Sequence, residues 1–595
     1  MNSLLIYNEN ISTQFVIDFS STLGTTYNFQ IGKQELLNPD FTIDKKIDNI
    51  LKGGNDGIQA NAYDCIFIPY SLSVENYTEF LGLRFAYHIR LTNSFNNVQT
   101  PIVFFGDENS DELNKLSKLA NILFTRGIYQ TKKISIQDFQ NQITYINKNF
   151  DKIEDEIFKI KLLNIISVVP SGNYSTHHSI ANEWAIYRWA KALNIEDSQI
   201  QKVERTIGSN LYFKYLKAKY PINEVELARN QILLNQGRVL YIDDEIENGW
   251  DSIFKQICRN QKYKSIGTEF KNIDCNKIVE LSLSEVNSFD PDVVILDFRL
   301  HDTDFEVTKI DDVTGYKILQ KIKEFNPGIQ VIIFSATNKI WNLLELQKAG
   351  ADGFILKESP ENSVDGNFTQ DSVDKIFFSL NESLKKSYLK SIFRKLKPII
   401  NVYENLIRLE TKSYIKKDIN FSKEKINEYL GFAKSCSSLI LSYPYDLKYS
   451  YLQLILIIED IIKTFYIDDD KGNHVVELSL FETVLVLEKN SRFVSMKLEP
   501  TSRWTKFIVK DFIIYETDKD FKYLNISADR ALFNYRLFCV LFYKYNMELS
   551  EIEKFASLYN KRSRLSHSGS EEKITKIDII IACELISILT QINKL

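Results

Sequence analysis

The sequence predicts a multidomain α/β plus α protein, with two doubly wound parallel sheets, a helical connector between them and a C-terminal helical bundle. Three observations carry that expectation. Short apolar runs alternate with polar helical stretches over residues 1–150 and again over 237–385, the texture of buried parallel strands joined by helices. Residues 151–236, and most of 386–595, carry apolar positions at the three- and four-residue spacing of helices. The length of 595 residues suits about three to five domains.

In chain order, residues 1–150 place strands at 4–7, 65–69 and 102–105. Residues 151–236 place helices at 180–193 and 198–220. Residues 237–385 place strands at 237–242, 292–296, 331–335 and 353–356. Residues 386–595 are mainly helical, with a strand-rich insertion near 475–515 and helices at 533–545, 550–559 and 574–589. The basic stretch 385–417 reads as a solvated helix face.

Composition excludes several classes. Hydrophobic residues at 44% and charged residues at 25% rule out a disordered or fibrous chain. A balance of 73 Lys+Arg against 78 Asp+Glu argues against coating nucleic acid along the whole length, while permitting a local basic patch. No apolar run reaches the roughly 18–20 residues of a membrane span. The opening MNSLLIYNENIS lacks a basic n-region, so no signal peptide is expected. The six cysteines form no CxxC pair and read as reduced, buried thiols. A cytoplasmic protein is expected.

The chemistry concentrates at 237–360. The strand at 237–242 ends in Asp243, Asp244 and Glu245, and the strand at 292–296 ends in Asp297. In a parallel sheet the carboxyl ends open on one crevice, so Asp243, Asp244 and Asp297 crowd together. Such crowding calls for a divalent cation, and hard oxygen ligands suit Mg²⁺. Ser335 brings a hydroxyl to the same edge and Lys357 an ammonium. Carboxylate, cation, hydroxyl and lysine together suit phosphoryl transfer onto Asp297.

In these residues the chain resembles the receiver domain of two-component response regulators, a flavodoxin-like fold, over about 237–360. The resemblance implies that Asp243, Asp244, Asp297 and the Arg299 backbone hold Mg²⁺, and that Asp297 is the phosphoacceptor. It also implies that Ser335 and Lys357 contact the phosphoryl group, that Phe354 is the aromatic switch, and that a histidine kinase is the partner. Gly350-Ala-Asp-Gly-Phe354 is similar to the family's GAD-x-[YF] segment. Two departures stand out. The loop from Arg299 to Gly315 is long and acidic, with Asp302, Asp304, Glu306, Asp311 and Asp312, and bears on metal access or kinase choice. Glu358 replaces the usual proline after the lysine.

Residues 1–150 echo this pattern without its chemistry. Pro69 falls where Asp297 stands, Gly106 replaces the hydroxyl, and Asn8 and Glu9 offer one acid instead of two. The segment resembles a degenerate receiver that cannot take phosphate, for use in dimerisation or docking; a different α/β domain is the alternative. In the segment 176–189, His178 and Asn182 lie one helical turn apart after His177. The HxxxN spacing is similar to that of phospho-accepting helices, but two Trp, Tyr187 and Ile180 read better as a packed face.

Near the C-terminus, Arg562 and His567 are five apart, with Lys554, Lys561, Arg564 and Lys573 nearby. An imidazole beside a guanidinium can serve acid–base chemistry at a phosphate. The region resembles the HEPN superfamily, whose R-x4-6-H motif implies a dimeric, metal-independent RNase acting on RNA, with Arg562 and His567 as the catalytic pair. Three readings stay open here: an active RNase, a non-catalytic HEPN-like bundle and an unrelated helical domain. The expected function is a response regulator controlling that output as a homodimer, in stress or anti-phage defence by analogy. The alternative is a signalling adaptor or phosphate sink. A DNA-binding output ranks last, since no helix-turn-helix with a basic recognition helix is seen.

Overall fold

The computed structural model describes residues 2–37, 42–53, 58, 61–73, 79–170, 177–222, 236–307, 309–336, 340–360, 363, 367–408, 422–465, 467–468, 474–478, 483–490, 493–499, 508–509, 512–513, 537, 540–541, 545, 547–548, 551–552, 554–565 and 572–590.

The first unit runs β1 (Ser3–Tyr7), α1 (Thr13–Thr22), β2 (Gly24–Asn28), α2 (Lys33–Leu36), α3 (Ile43–Lys52), β3 (Cys65–Pro69), α4 (Leu81–Leu91), β4 (Ile102–Phe105), α5 (Ser110–Leu116), β5 (Ile128–Thr131) and α6 (Ile136–Asn149). Its parallel sheet has the order β2-β1-β3-β4-β5. The connector follows as α7 (Asp155–Leu163), α8 (His177–Ala192), α9 (Ser198–Ser209) and α10 (Leu211–Lys219). The single helix expected over 198–220 is therefore two. Asn210 leaves helical backbone, and its Oδ1 accepts from the Phe213 N–H at 3.2 Å, starting α10 afresh.

The second unit repeats the plan: β6 (Arg238–Ile242), α11 (Trp250–Ile257), β7 (Lys262–Ile266), α12 (Cys275–Phe289), β8 (Val293–Leu296), α13 (Thr314–Phe325), β9 (Gln330–Ser335), α14 (Ile340–Lys348), β10 (Gly353–Leu356) and α15 (Phe368–Lys385). Its parallel sheet has the equivalent order, β7-β6-β8-β9-β10. Both sheets are doubly wound, and each changes direction between its first and third strands, where ligands of such folds sit.

The C-terminal region is helical. Helices α16 (Tyr388–Arg408), α17 (Lys423–Ser442) and α18 (Lys448–Thr464) precede a strand insertion. Strands β11 (Ile467–Asp468), β12 (His474–Leu478), β13 (Thr483–Asn490) and β14 (Phe493–Glu499) form an antiparallel sheet, and β15 (Ile508–Val509) pairs with β16 (Phe512–Ile513). Helices α19 (Ala556–Leu565) and α20 (Lys576–Leu589) complete it. The expected helix at 533–545 lies mostly outside the described residues. Over the expected helix at 550–559, Glu551 and Ile552 are helical, Lys554 and Phe555 form a turn, and α19 then begins at Ala556 and carries Arg562 in its last turn.

Each sheet has two apolar faces, and they are used asymmetrically. In the first unit, Leu5, Phe67 and Val103 pack under α1 and α6 with Phe19 and Phe139. The opposite face, with Leu4, Ile66 and Phe104, joins α3, α4 and the connector. In the second unit, Leu240, Val294 and Ile333 pack under α12 and α13. The opposite face, with Tyr241, Ile295, Phe334, α11 and α15, belongs to the same continuous cluster as the connector. The connector is thus sandwiched between the two sheets' helical layers and shares their core.

Helix α16 docks on the second unit at the amino-terminal edge of its sheet. Lys390 lies 2.6 Å from Asp292, Arg394 lies 2.7 Å from Asp290, and Asn326 Nδ2 donates to the Lys390 carbonyl at 3.0 Å. Lys397 donates to the Glu324 carbonyl. The basic stretch is therefore not simply a solvated face: Lys390 is buried. The remainder of the stretch beyond 408 lies outside the described residues. The bundle has its own core, including Tyr403, Tyr429, Cys436, Ile458 and Cys583. Cys65, Cys258, Cys436 and Cys583 are buried free thiols, and Cys275 is half-buried. Among the described residues, no helix is long and apolar enough to cross a membrane.

Candidate functional site

Strands β6 and β8 are adjacent, with Ile242 opposite Leu296, so the residues that follow both strands emerge side by side. One ligand oxygen from each of Asp243, Asp244 and Asp297 falls within 4.8 Å of the others. Asp243 and Asp297 are buried, and Asp244 is half-buried. Lys357, buried just after β10, bridges two of them: Nζ lies 2.8 Å from Asp243 Oδ2 and 3.0 Å from Asp297 Oδ2. The Glu245 N–H holds Asp243 Oδ1 at 2.8 Å, and the Phe298 N–H holds Asp297 Oδ1 at 2.6 Å. Ser335 is buried at the end of β9, where the Lys357 N–H donates to its carbonyl at 2.8 Å. Phe354 is half-buried on β10, against the core beneath α12 and α13. Arg299 follows β8 with its guanidinium 4.8 Å from the Phe305 ring.

The electrostatics follow from crowding. Burial, and then the neighbouring Asp243 and Asp297 carboxylates, push the Asp244 carboxyl up to about 8. Burial alone would discharge Lys357, but Asp243 and Asp297 more than offset it and hold the ammonium above its ordinary value. One lysine facing three carboxylates leaves excess negative charge of hard oxygen donors, which is the donor set Mg²⁺ takes. The residues present fit that ion.

Two features were not legible as site residues. Tyr241 lies two residues before Asp243 on the same face of β6, and its phenol donates to Asp243 Oδ2 at 2.5 Å. A tyrosine in an apolar strand reads as core, and only its i,i+2 spacing from the acid signals the contact. Glu358, noted only as a departure, is fully buried and ion-paired with Arg188 of α8 at 3.0 Å. The long loop is tied down by Asp304, whose carboxylate accepts from the Leu300, His301 and Thr314 N–H groups and the Thr314 hydroxyl. Asp304 therefore braces the loop and is not part of the carboxylate cluster. A cleft of about 700 Å³ opens beside Asp244, lined by Glu247, Lys271, Asp274, His301 and Asp302 among others.

In the first unit the equivalent edge has no such chemistry. Ile68 pairs with Phe104 as Leu296 pairs with Ile333, so Pro69 takes the position of Asp297 and Gly106 that of Ser335. Asn8 is buried and Glu9 exposed. Tyr70 stacks on Phe104 at 5.3 Å and donates to Gln130 Oε1 at 2.9 Å, filling the edge. On α8, Asn182 accepts from the Trp250 indole N–H, a packing role; the side chains of His177 and His178 lie outside the described residues. In the bundle, Arg562 pairs with Glu459 of α18 at 3.1 Å, and Lys561 with Asp578 at 2.7 Å. His567 lies outside the described residues.

Residues 239–365 match the family described as response regulator receiver domain, and residues 19–131 match the inactive receiver domain. No curated protein matches the chain. Among solved structures, the receiver domain of Francisella response regulator 1452 is 18% identical, with 25% of this chain and 98% of that one covered and a TM-score of 0.18. A CheY-like receiver domain protein from Methanospirillum hungatei JF-1 is 21% identical, with coverage of 25% and 98% and a TM-score of 0.18. NtrX from Brucella abortus is 15% identical, with coverage of 40% and 49% and a TM-score of 0.20. The carboxylate cluster with its bridging lysine thus belongs to a response regulator receiver domain at 239–365, and the blank edge to an inactive receiver domain at 19–131.

Proposed function

We propose that this chain is a two-component response regulator that accepts a phosphoryl group on Asp297. The observation that carries the reading is Lys357 bridging Asp243 and Asp297, with Asp244 beside them. Asp243, Asp244 and Asp297 would hold Mg²⁺ with the Arg299 backbone, and the ion supplies charge neutralisation at the phosphoryl oxygens. A carboxylate oxygen of Asp297 attacks phosphorus, the bond from phosphorus to the donor breaks, and the donor leaves with that electron pair. A histidine kinase or a small phosphodonor serves. Lys357 then exchanges its carboxylate contact for a phosphoryl oxygen, and the Ser335 hydroxyl donates to another. Phe354 follows Ser335 inward.

With acetyl phosphate and Mg²⁺, the protein is expected to gain an acid-stable, alkali-labile label that Asp297→Asn abolishes. Label that survives Asp297→Asn would reject this assignment.

The helical region is the proposed output, with the Arg562 and His567 pair as an RNase acting on RNA in a homodimer, in a defence or stress setting. The second reading is a non-catalytic adaptor or phosphate sink, and the Arg562–Glu459 ion pair favours it, since it gives the arginine a bundle-holding role. RNA cleavage that changes with beryllofluoride and disappears in His567→Ala supports the RNase. Bound beryllofluoride without cleavage supports the adaptor.

A further inference from the structure

The ion pair between Arg188 and Glu358 takes no part in that scheme, yet it sits one residue from the lysine that does. Both side chains are fully buried. Arg188 Nε also donates to Thr369 Oγ1 at 3.0 Å, and its terminal nitrogen to the Tyr220 carbonyl at 2.6 Å. Glu358 is saturated in turn: Ser363 Oγ and Thr369 Oγ1 each donate to it at 2.6 Å. Ser363 Oγ accepts from the Trp184 indole of α8 at 2.7 Å. A desolvated pair needs its remaining hydrogen bonds met, and here the Glu358 carboxylate and all of the Arg188 guanidinium but one buried terminal nitrogen have partners, which holds the pair in place.

The neighbouring residue on α8 reaches the same place from the other side. Trp189 packs edge-on against Trp250 and Phe334, with centroids 5.7 and 5.5 Å apart. The Lys357 ammonium lies 5.5 Å from the Trp250 ring and 5.1 Å from that of Phe334. Helix α8 therefore holds both the loop that follows Lys357 and the aromatic walls around its ammonium. The C-terminal bundle, by contrast, docks at the opposite edge of the sheet, through Lys390 and Arg394.

We propose that Arg188 and Glu358 are positioning residues of the phosphoryl site: from the connector, they hold the loop from which Lys357 reaches Asp297. This rests on Asp297 being phosphorylated. It makes the rate of phosphoryl uptake, and of loss, a property of the docked connector as well as of the receiver. Loss is hydrolysis: a water oxygen bonds to phosphorus, the bond to Asp297 breaks with its electron pair returning to the carboxylate, and inorganic phosphate and a proton leave.

The test uses the full chain with acetyl phosphate at saturating Mg²⁺, and compares Arg188→Gln, Glu358→Gln, their double variant and Arg188→Lys with Arg394→Gln. Labelling of Arg188→Gln and Glu358→Gln is expected to slow by on the order of tenfold. The double variant should be no slower than either single one, because the two act as a unit. Arg188→Lys should recover part of the rate, and Arg394→Gln should match the parent. Should the buried-charge variants fail to melt cooperatively, Ser363→Ala, which removes one hydroxyl from Glu358 and leaves the charges paired, decides with a smaller slowing in the same direction. Folded variants labelling at the parent rate would overturn the proposal while leaving Asp297 as phosphoacceptor. A parent that takes no label and binds no beryllofluoride would overturn both.

Discussion

At the scale of the residue, Asp44, His88 and Lys214 are buried together, with Arg84 beside them. The inactive receiver domain holds a second buried network besides the site: Asp44 accepts from Arg84 at 2.6 Å, from the Leu211 N–H at 2.7 Å and from His88 Nε2 at 2.7 Å. Lys214 faces His88 Nδ1 at 3.1 Å, so the imidazole is neutral with its proton on Nε2. Burial and the Lys214 charge push His88 down to about 4, and although burial opposes it, Arg84 and His88 hold Asp44 down at about 2. Unfolded, His88 takes a proton near its ordinary value, so stability is intact above about pH 6.5 and falls as pH drops from there to about 4. Below that, protonation of Asp44 removes more, down to about pH 2. The expected loss from His88 is about 3 kcal/mol. Urea melts from pH 7 to pH 4 check it, and His88→Gln should flatten the dependence.

At the scale of the element, close approach decides where each loop lies. Gly267 follows β7 with φ of +152°, and a Cβ there would meet the Asp243 carbonyl at 1.7 Å. Gly267→Ala must therefore push aside the backbone that carries Asp243 and Asp244. Affinity for Mg²⁺ with beryllofluoride is expected to weaken on the order of 10–100-fold, read by tryptophan fluorescence, with the melting temperature less affected. Gly249 plays a similar part between units. Its φ is +127°, and a Cβ would stand 3.0 Å from Ile186 of α8 and 3.3 Å from Ile200 of α9. The apolar strands β3, β4, β6, β8 and β9 were legible because both faces are covered. The edge strands β2, β5 and β7 were not, because their half-exposed residues, such as Gly24-Thr-Thr-Tyr-Asn28, carry no apolar run.

At the scale of the whole molecule, one apolar cluster spans the inactive receiver domain, the connector and one face of the response regulator receiver domain. Units with a shared core lose it together. Residues 1–385 are expected to unfold in a single transition, distinct from that of the bundle, which has its own core. Deleting residues 1–236 would bare Trp250, Phe254 and Phe334, which are buried in the full chain. A receiver fragment beginning at 237 is expected to bind hydrophobic dye and aggregate. Differential scanning calorimetry and a dye titration check both, and a monomeric fragment with undiminished stability would count against the shared core.

The two parallel sheets, and the acids and lysine that gather at the strand ends of the second, could be read from the sequence. Runs of buried strand and the acids that close them are local patterns, and strand order then brings Asp243, Asp244, Asp297 and Lys357 together. Pro69 in place of Asp297 likewise disclosed the blank edge. That Glu358 pairs with Arg188 came only from the tertiary structure, since they stand 170 positions apart and only packing brings them together. It also decided that Lys390 is buried against Asp292, that Asn210 divides a helix, and that Tyr241 serves an acid and not only the core. A side chain's partner across the fold depends on which faces meet, and neither periodicity nor spacing along the chain records that.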